Sequence, residues 1–190
     1  MLKELILRNR SYRRFYQYER ISKTQLTDWV DLARCSASAR NSQSLKYILS
    51  NDAPLNAEIF EHLAWAGYLS TWKGPEEGER PSAYIVMLHD TLVSGNYLCD
   101  DGIATQSIML GAVEAGFGGC IISSVNRNRL KEIFKLSDQF EIIQVLALGK
   151  PKETVVLDEV KEGDIKYWRD ENQVHHVPKR ILEEIIIRIN

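Results

Sequence analysis

Several features that would take a chain out of the ordinary globular class are missing here. There are three cysteines, Cys35, Cys99 and Cys120, and no C-x-x-C pair among them. An odd count without that spacing offers no disulfide framework and no zinc site, and it fits a reducing compartment. No stretch approaches the ~18 consecutive apolar residues of a membrane span. The opening MLKELILRNR lacks the long apolar run of a secretory leader. A basic excess is missing too: 24 Lys and Arg stand against 26 Asp and Glu, a net charge of −2. That argues against general nucleic-acid binding, while a local basic cluster in a near-neutral chain suits a small anion. The expectation is a cytoplasmic protein with neither a nucleic-acid nor a membrane partner. The usual phosphate loops are also absent. There is no G-x-x-x-x-G-K-[ST], since Gly149-Lys150 runs into Pro151, and Gly116, Gly118 and Gly119 form G-F-G-G without a third glycine at the dinucleotide spacing.

What remains is a chain of 190 residues, 44% hydrophobic, long enough for a single domain with a real core. Residues 2–8 read as a short helix. Ser22 caps a second helix over 23–35, with Leu26, Trp29, Val30 and Ala33 on one face. A small-residue loop, 36–44, leads into a strand at 45–49, and 55–66 reads as helix. Residues 70–82, STWKGPEEGERPS, form a polar loop. AYIVMLH (83–89), CIIS (120–123) and IIQVLALG (142–149) are strands of the buried type. Helices are expected over 101–116 and 126–134. Helices and strands mix without a regular βαβ beat, so the class is α+β.

Three stretches stand out. R-S-Y-R-R-F (10–15) packs three arginines and a serine into six residues. Arg10, Ser11 and Arg13 provide the fixed charge and donors that phosphate oxygens require, although a solvated basic turn would read the same. In S-A-S-A-R-N-S-Q (36–43), small residues admit a ligand to the backbone, and Ser38, Asn41 and Gln43 offer neutral hydrogen bonding. An ordinary connecting loop is the alternative. After Pro178, KRILEEIIIRIN reads as a final helix whose Ile181, Leu182, Ile185, Ile186, Ile187 and Ile189 exceed one narrow apolar face. Such a segment either packs on a partner subunit or sinks into its own core. Other candidates read as structural. His175 and His176 would face opposite sides of a strand and make poor paired metal ligands. Cys120 reads as core, and Asp100-Asp101 as a helix start where negative charge is favoured.

Taken together, the blocks resemble the FMN-dependent nitroreductase family. R-S-Y-R-R-F is similar to that family's phosphate-binding R-R-S-x-R-x-F opening, and A-R-C-S-A-S-A-R-N-S-Q (33–43) to its A-x-x-A-P-S-x-x-N-x-Q loop. G-F-G-G-C-I-I-S (116–123) resembles its glycine-rich turn into the strand beside the flavin, and V-L-A-L-G-K-P (145–151) its late strand ending in G-x-P. The blocks fall in the family's order over nearly the whole chain. Asn9 and Ala37 depart from it, standing where the family commonly has arginine and proline.

The resemblance implies a nitroreductase-like fold over 1–190. Its central, mostly antiparallel sheet is flanked by helices, and two chains intertwine as a homodimer. It implies FMN as cofactor, held at the phosphate by Arg10, Ser11 and Arg13, with Lys179 and Arg180 as a final basic contact. Ala37, Ser38, Ala39 and Asn41 would line the flavin from the other subunit, and Ile121, Ile122 and Ser123 would lie along the isoalloxazine. It implies NADH or NADPH as donor, and ping-pong transfer to a small electron-poor acceptor such as a nitroaromatic or quinone. The flavin carries that chemistry, so no side chain is singled out as catalytic. A non-catalytic FMN carrier or sensor is the alternative. The loop at 70–82, with Trp65, Tyr68 and Trp72, is a candidate for shaping the substrate pocket, and 178–190 a candidate dimer-packing segment.

Overall fold

The computed structural model describes residues 1–189. In chain order the elements are α1 (Leu2–Arg8), β1 (Phe15–Tyr16), α2 (Lys23–Arg34), a 3-10 turn (Ala39–Asn41), β2 (Leu45–Ser50), α3 (Ala53–Phe60) and β3 (Ala83–Asp90). There follow α4 (Asp100–Glu114), β4 (Gly118–Ile122), α5 (Arg127–Phe134), β5 (Phe140–Pro151), β6 (Val155–Glu159), β7 (Trp168–Arg169), β8 (His175–Lys179) and α6 (Leu182–Ile185).

Strand β5 organises the main sheet. One edge pairs with β3, which pairs in turn with β2; the other edge takes β4 at Val145–Gly149 and β1 at Lys150–Pro151. All four ladders are antiparallel. The apolar runs in β3 and β5 are continuous because helices cover both faces of the sheet. Ala83, Ile85 and Met87 point into one layer with Leu26, Trp29, Ile108 and Ala112 of α2 and α4. Tyr84, Val86 and Leu88 point into the other, with Ile59 of α3 and Leu130 of α5. The register slips at Met87/Leu88, where Ile143 is the extra residue on β5. A bulge of one residue reverses the alternation, so Leu146 and Leu148 face α4 while Ile142 faces α5.

Local chemistry sets the helices. The Ser22 hydroxyl accepts the Gln25 N–H at 3.1 Å, and the Gln25 side chain accepts the Ser22 N–H at 2.9 Å, a reciprocal cap at the start of α2. Helix α4 lies close under α2 because Gly111 has no side chain; a Cβ there would meet Leu32 Cδ1 at 2.5 Å. The buried Gln144 amide donates to Thr105 Oγ1 at 2.7 Å and ties α4 to the sheet. No helix among the described residues is long and apolar enough to cross a membrane.

The structure corrects two expected elements. The helix expected over 55–66 runs over Ala53–Phe60, capped by Asp52, and residues 62–64 instead bond to the chain after β4. Ala64 N–H donates to Ser124 O and Asn126 N–H to His62 O, both at 2.9 Å, so the backbone has better partners outside a helix. The helix expected after Pro178 is also replaced. Pro178 sits inside β8, which runs parallel to β6 with β7 on its other side. β7 reaches only His175 and His176, so the missing N–H of Pro178 lies where β8 has no partner on that flank. Helix α6 is a single turn, and Ile185 and Ile187 are 59% and 99% exposed. The tail therefore does not sink into its own core. Asn190, the last residue of the expected packing segment, lies outside the described residues.

Candidate functional site

The basic segment lies on β4, and the two glycines there make that contact close. Ser11 bridges to Gly119, and Tyr12 N–H donates to Gly119 O at 2.9 Å. A Cβ on Gly118 would meet Tyr12 Cδ2 at 2.6 Å, and one on Gly119 would meet the Ala147 carbonyl at 2.4 Å. With both positions bare, residues 9–13 run along β4 and close one side of a cleft of about 310 Å³. α4 supplies Gln106 and Met109, and β8 supplies His175, Val177 and Lys179.

Arg10, Ser11, Arg13, Ile121 and Lys179, five of the residues singled out above, meet in this cleft. Among the described residues, no carboxylate lines it. The Arg10 guanidinium donates to Ile6 O at 2.8 Å. Arg13 is 8% exposed; its Nη1 donates to Ser11 O at 3.2 Å and faces His175 Nε2 at 3.0 Å, and its plane lies 4.7 Å from the Tyr167 ring centre. The Nε atoms of both arginines and Nδ1 of His175 are buried with no partner among the described residues. Buried donors without acceptors beside a carboxylate-free cleft fit a group that brings its own anionic oxygens. The site's chemistry is therefore compatible with a phosphate-bearing cofactor.

A second, smaller cavity of about 170 Å³ shares Arg13, Ile121 and Tyr167 with the first, so the two form one trough. Its walls are residues 64–67 and 121–124. Ile121 is 45% exposed along it, while the side chain of Ile122 is buried in the core, so Ile122 and Ser123 reach the trough at its edge. Cys120 lies beneath, its thiol pushed up by burial. The loop at 70–82 does not line the trough. Of the aromatics near it, Trp65 lines the trough, the Tyr68 backbone N–H donates to the Tyr167 hydroxyl at 3.3 Å, and Trp72 carries the Arg169 guanidinium at 4.2 Å. Arg180 is outside the cleft as well: it is exposed and pairs with Glu184 at 3.1 Å.

The 36–43 loop forms a separate cleft of about 280 Å³, sharing no residue with the first. Ala37, Ser38 and Asn41 line it; Ala39 contributes its N–H to the scaffold instead. That scaffold is Asp100, which is 3% exposed. Its carboxylate accepts the Ser38 hydroxyl at 2.6 Å and the Ala39 N–H at 2.7 Å. The anchor holds Arg40, Asn41 and Gln43 at φ of 54°, 54° and 52°, in the left-handed region. The Tyr47 phenol, on the cleft wall, is pushed up to about 12 by burial and then by the Asp100 charge. Asp100 escaped the sequence reading, where it is only a favourable helix start. Glu153 and Tyr167 escaped it too, and His175 drew attention only as a metal ligand. The signal for all four is tertiary.

Residues 98–150 match the sequence model of the Nitroreductase family. These residues run from the start of α4 through β5, the elements behind the trough. YodC of Bacillus subtilis strain 168, named as a candidate NAD(P)H nitroreductase, is 24% identical over 160 residues, covering 68% of this chain and 79% of that protein. A crystal structure of a nitroreductase family protein from Clostridium novyi NT superposes with a TM-score of 0.66 at 23% identity, covering 94% of both chains. The NADPH:FMN oxidoreductase of Vibrio harveyi, solved with NAD+, superposes with a TM-score of 0.63 at 20% identity, covering 80% of this chain and 69% of that one. The α4–β5 stretch thus matches the sequence model of the Nitroreductase family, and the chain has the fold of solved nitroreductase family proteins.

Proposed function

We propose that the protein is an FMN-dependent NAD(P)H oxidoreductase that passes electrons to small electron-poor acceptors such as nitroaromatics or quinones. The observation that carries this reading is the carboxylate-free cleft where Arg10, Arg13 and Lys179 converge at one end of a trough edged by Ile121. The match of residues 98–150 to the Nitroreductase family model, and similar proteins named for FMN and NAD(P)H, support it.

Arg10, Ser11 and Arg13 hold the FMN phosphate, and Lys179, at the end of β8, is a further basic contact. Arg180, paired with Glu184, takes no part in the arrangement described. Ile121 and the backbone of residues 122–123 lie along the ring, and Met109 and Tyr167 exclude water from its edge. A bound flavin supplies the redox chemistry, taking a hydride from NAD(P)H and then reducing an acceptor in a separate half-reaction. The residues bind and orient; none is required as acid or base.

The functional unit is a homodimer. Ala37, Ser38 and Asn41 line a different cleft from Arg10 and Arg13 of their own chain, with Ala39 in the loop that supports it, as expected if they serve the site of a second copy. The exposed isoleucines after Arg180 give that copy an apolar surface to cover. A reducing cytoplasm suits the free, exposed Cys35 and Cys99.

The test is the visible spectrum of the purified protein, reconstituted with excess FMN and freed of unbound flavin, with its mass read by light scattering. Bands near ~370 and ~450 nm, bleached by NAD(P)H and restored by a quinone, on a two-chain particle, are expected. A protein that retains no FMN overturns the reading. Retention without bleaching reduces it to a flavin carrier.

A further inference from the structure

The arginine cluster has more than one way to be held in place, and the difference matters for an anion site. Three arginines, Arg13, Arg14 and Arg169, gather around the buried carboxylate of Glu153. Glu153 divides its two oxygens unevenly among them. Oε1 accepts the backbone N–H groups of Arg13 and Arg14, the latter at 3.2 Å. Oε2 receives the Arg169 guanidinium at 3.1 Å and lies 3.7 Å from Arg14 Nε. The carboxylate thus discharges Arg14 and Arg169 and fixes the Arg13 backbone, and it makes no ion pair with the Arg13 side chain.

Among the described residues, the groups in direct contact with the Arg13 guanidinium are neutral. They are the Ser11 carbonyl, the Tyr167 ring, the buried Cys120 thiol and the His175 imidazole. A guanidinium has donors and no acceptor, so the 3.0 Å contact makes His175 Nε2 the acceptor and places the ring proton on Nδ1. The ring is fully buried, and burial followed by Arg13, Arg169, His176 and Arg14 lowers its pKa to about 4.

We propose that His175 is a positioning residue for the phosphate site: it aims the Arg13 guanidinium as a neutral acceptor, so the full charge stays available to the anion in the cleft. A carboxylate in its place would orient Arg13 equally well and cancel the charge. This rests on the assignment of the cleft to the FMN phosphate.

The experiment compares isosteric pairs, H175Q with H175E and H175N with H175D. The full-length protein is titrated with FMN and with riboflavin, which has the same ring and no phosphate, and flavin fluorescence reads the dissociation constants. The wild type is expected to prefer FMN. The neutral variants keep that preference, and each acidic variant loses at least about tenfold of it relative to its neutral partner, with riboflavin affinity unchanged. Equal FMN-to-riboflavin ratios within both pairs overturn the proposal, because a merely structural histidine would not distinguish charge at constant size. So does failure of both acidic variants to fold, since a carboxylate among three arginines should be stabilised there. If the wild type itself shows no preference for FMN over riboflavin, the phosphate assignment falls and this proposal with it. That result is read on the unmodified protein and is distinct from failure of the variants.

Discussion

Asp100 is a buried carboxylate that makes no ion pair among the described residues, and it carries the loop that lines the second cleft. Replacing it with asparagine keeps its size and removes its charge. Each of its two hydrogen bonds, from Ser38 Oγ at 2.6 Å and Ala39 N at 2.7 Å, is charge-assisted and worth about 1.5–3 kcal/mol. Asparagine can accept one of them as a neutral bond of about 1 kcal/mol and must turn its amide donor toward the other donor. Relief of carboxylate desolvation returns part of the loss. The net expectation for Asp100→Asn is a destabilisation of about 2 kcal/mol. Three left-handed residues, at 40, 41 and 43, depend on the same anchor, so their loop should loosen at the same time. Urea unfolding of the wild type, D100N, S38A and the double variant measures it. A coupling energy of at least about 1 kcal/mol between the two sites is expected. D100N within about 0.5 kcal/mol of wild type, or additive with S38A, would refute the anchoring argument.

Gly119→Ala drives a Cβ to 2.4 Å from the Ala147 carbonyl, which is backbone and cannot turn aside, so a loss of at least about 3 kcal/mol is expected in urea unfolding; Gly95→Ala, with nothing within 4 Å, is the control and should stay within about 0.5 kcal/mol. The buried His175 titrates near 4 when folded and near 6.5 when unfolded, so the unfolded chain binds the extra proton between those values. Stability is therefore complete above about pH 6.5 and declines as pH falls toward 4, by at most about 3 kcal/mol before solvent screening reduces it. Thermal unfolding across that range should show the slope in the wild type and lose it in H175Q; parallel curves would refute the neutral, buried histidine.

How much of this was legible in the sequence depended on how local the cause was. The β3 and β5 runs could be read because both faces of the sheet are covered, which leaves no polar alternation to break the run. Helix α2 could be read from Ser22 and Gln25, which cap it within three residues. The end of α3 could not, because residues 62–64 leave the helix to bond with 124–126, and nothing local announces those partners. The sheet of β6, β7 and β8 was missed for the same reason: VVLDE and HHVPK are polar enough to pass for loop until they lie side by side. In the site, the basic cluster at 10–13 was visible as composition. Glu153 and His175, which settle how its charge is distributed, sit 140 and 162 residues from Arg13.

That separation has a consequence for biosynthesis. At ~5–20 residues per second, His175 is added roughly 8–30 seconds after Arg13. Through most of that interval the nascent chain can fold α2 and begin its sheet, but the arginine cluster lacks its carboxylate, and it lacks its imidazole to the end. A basic, unclamped N-terminal segment must wait for the last strands to emerge. Loading of an anionic cofactor is then a late event that follows the emergence of β8. Truncation between β5 and β8 should leave a particle with much of its core assembled and an incomplete arginine cluster.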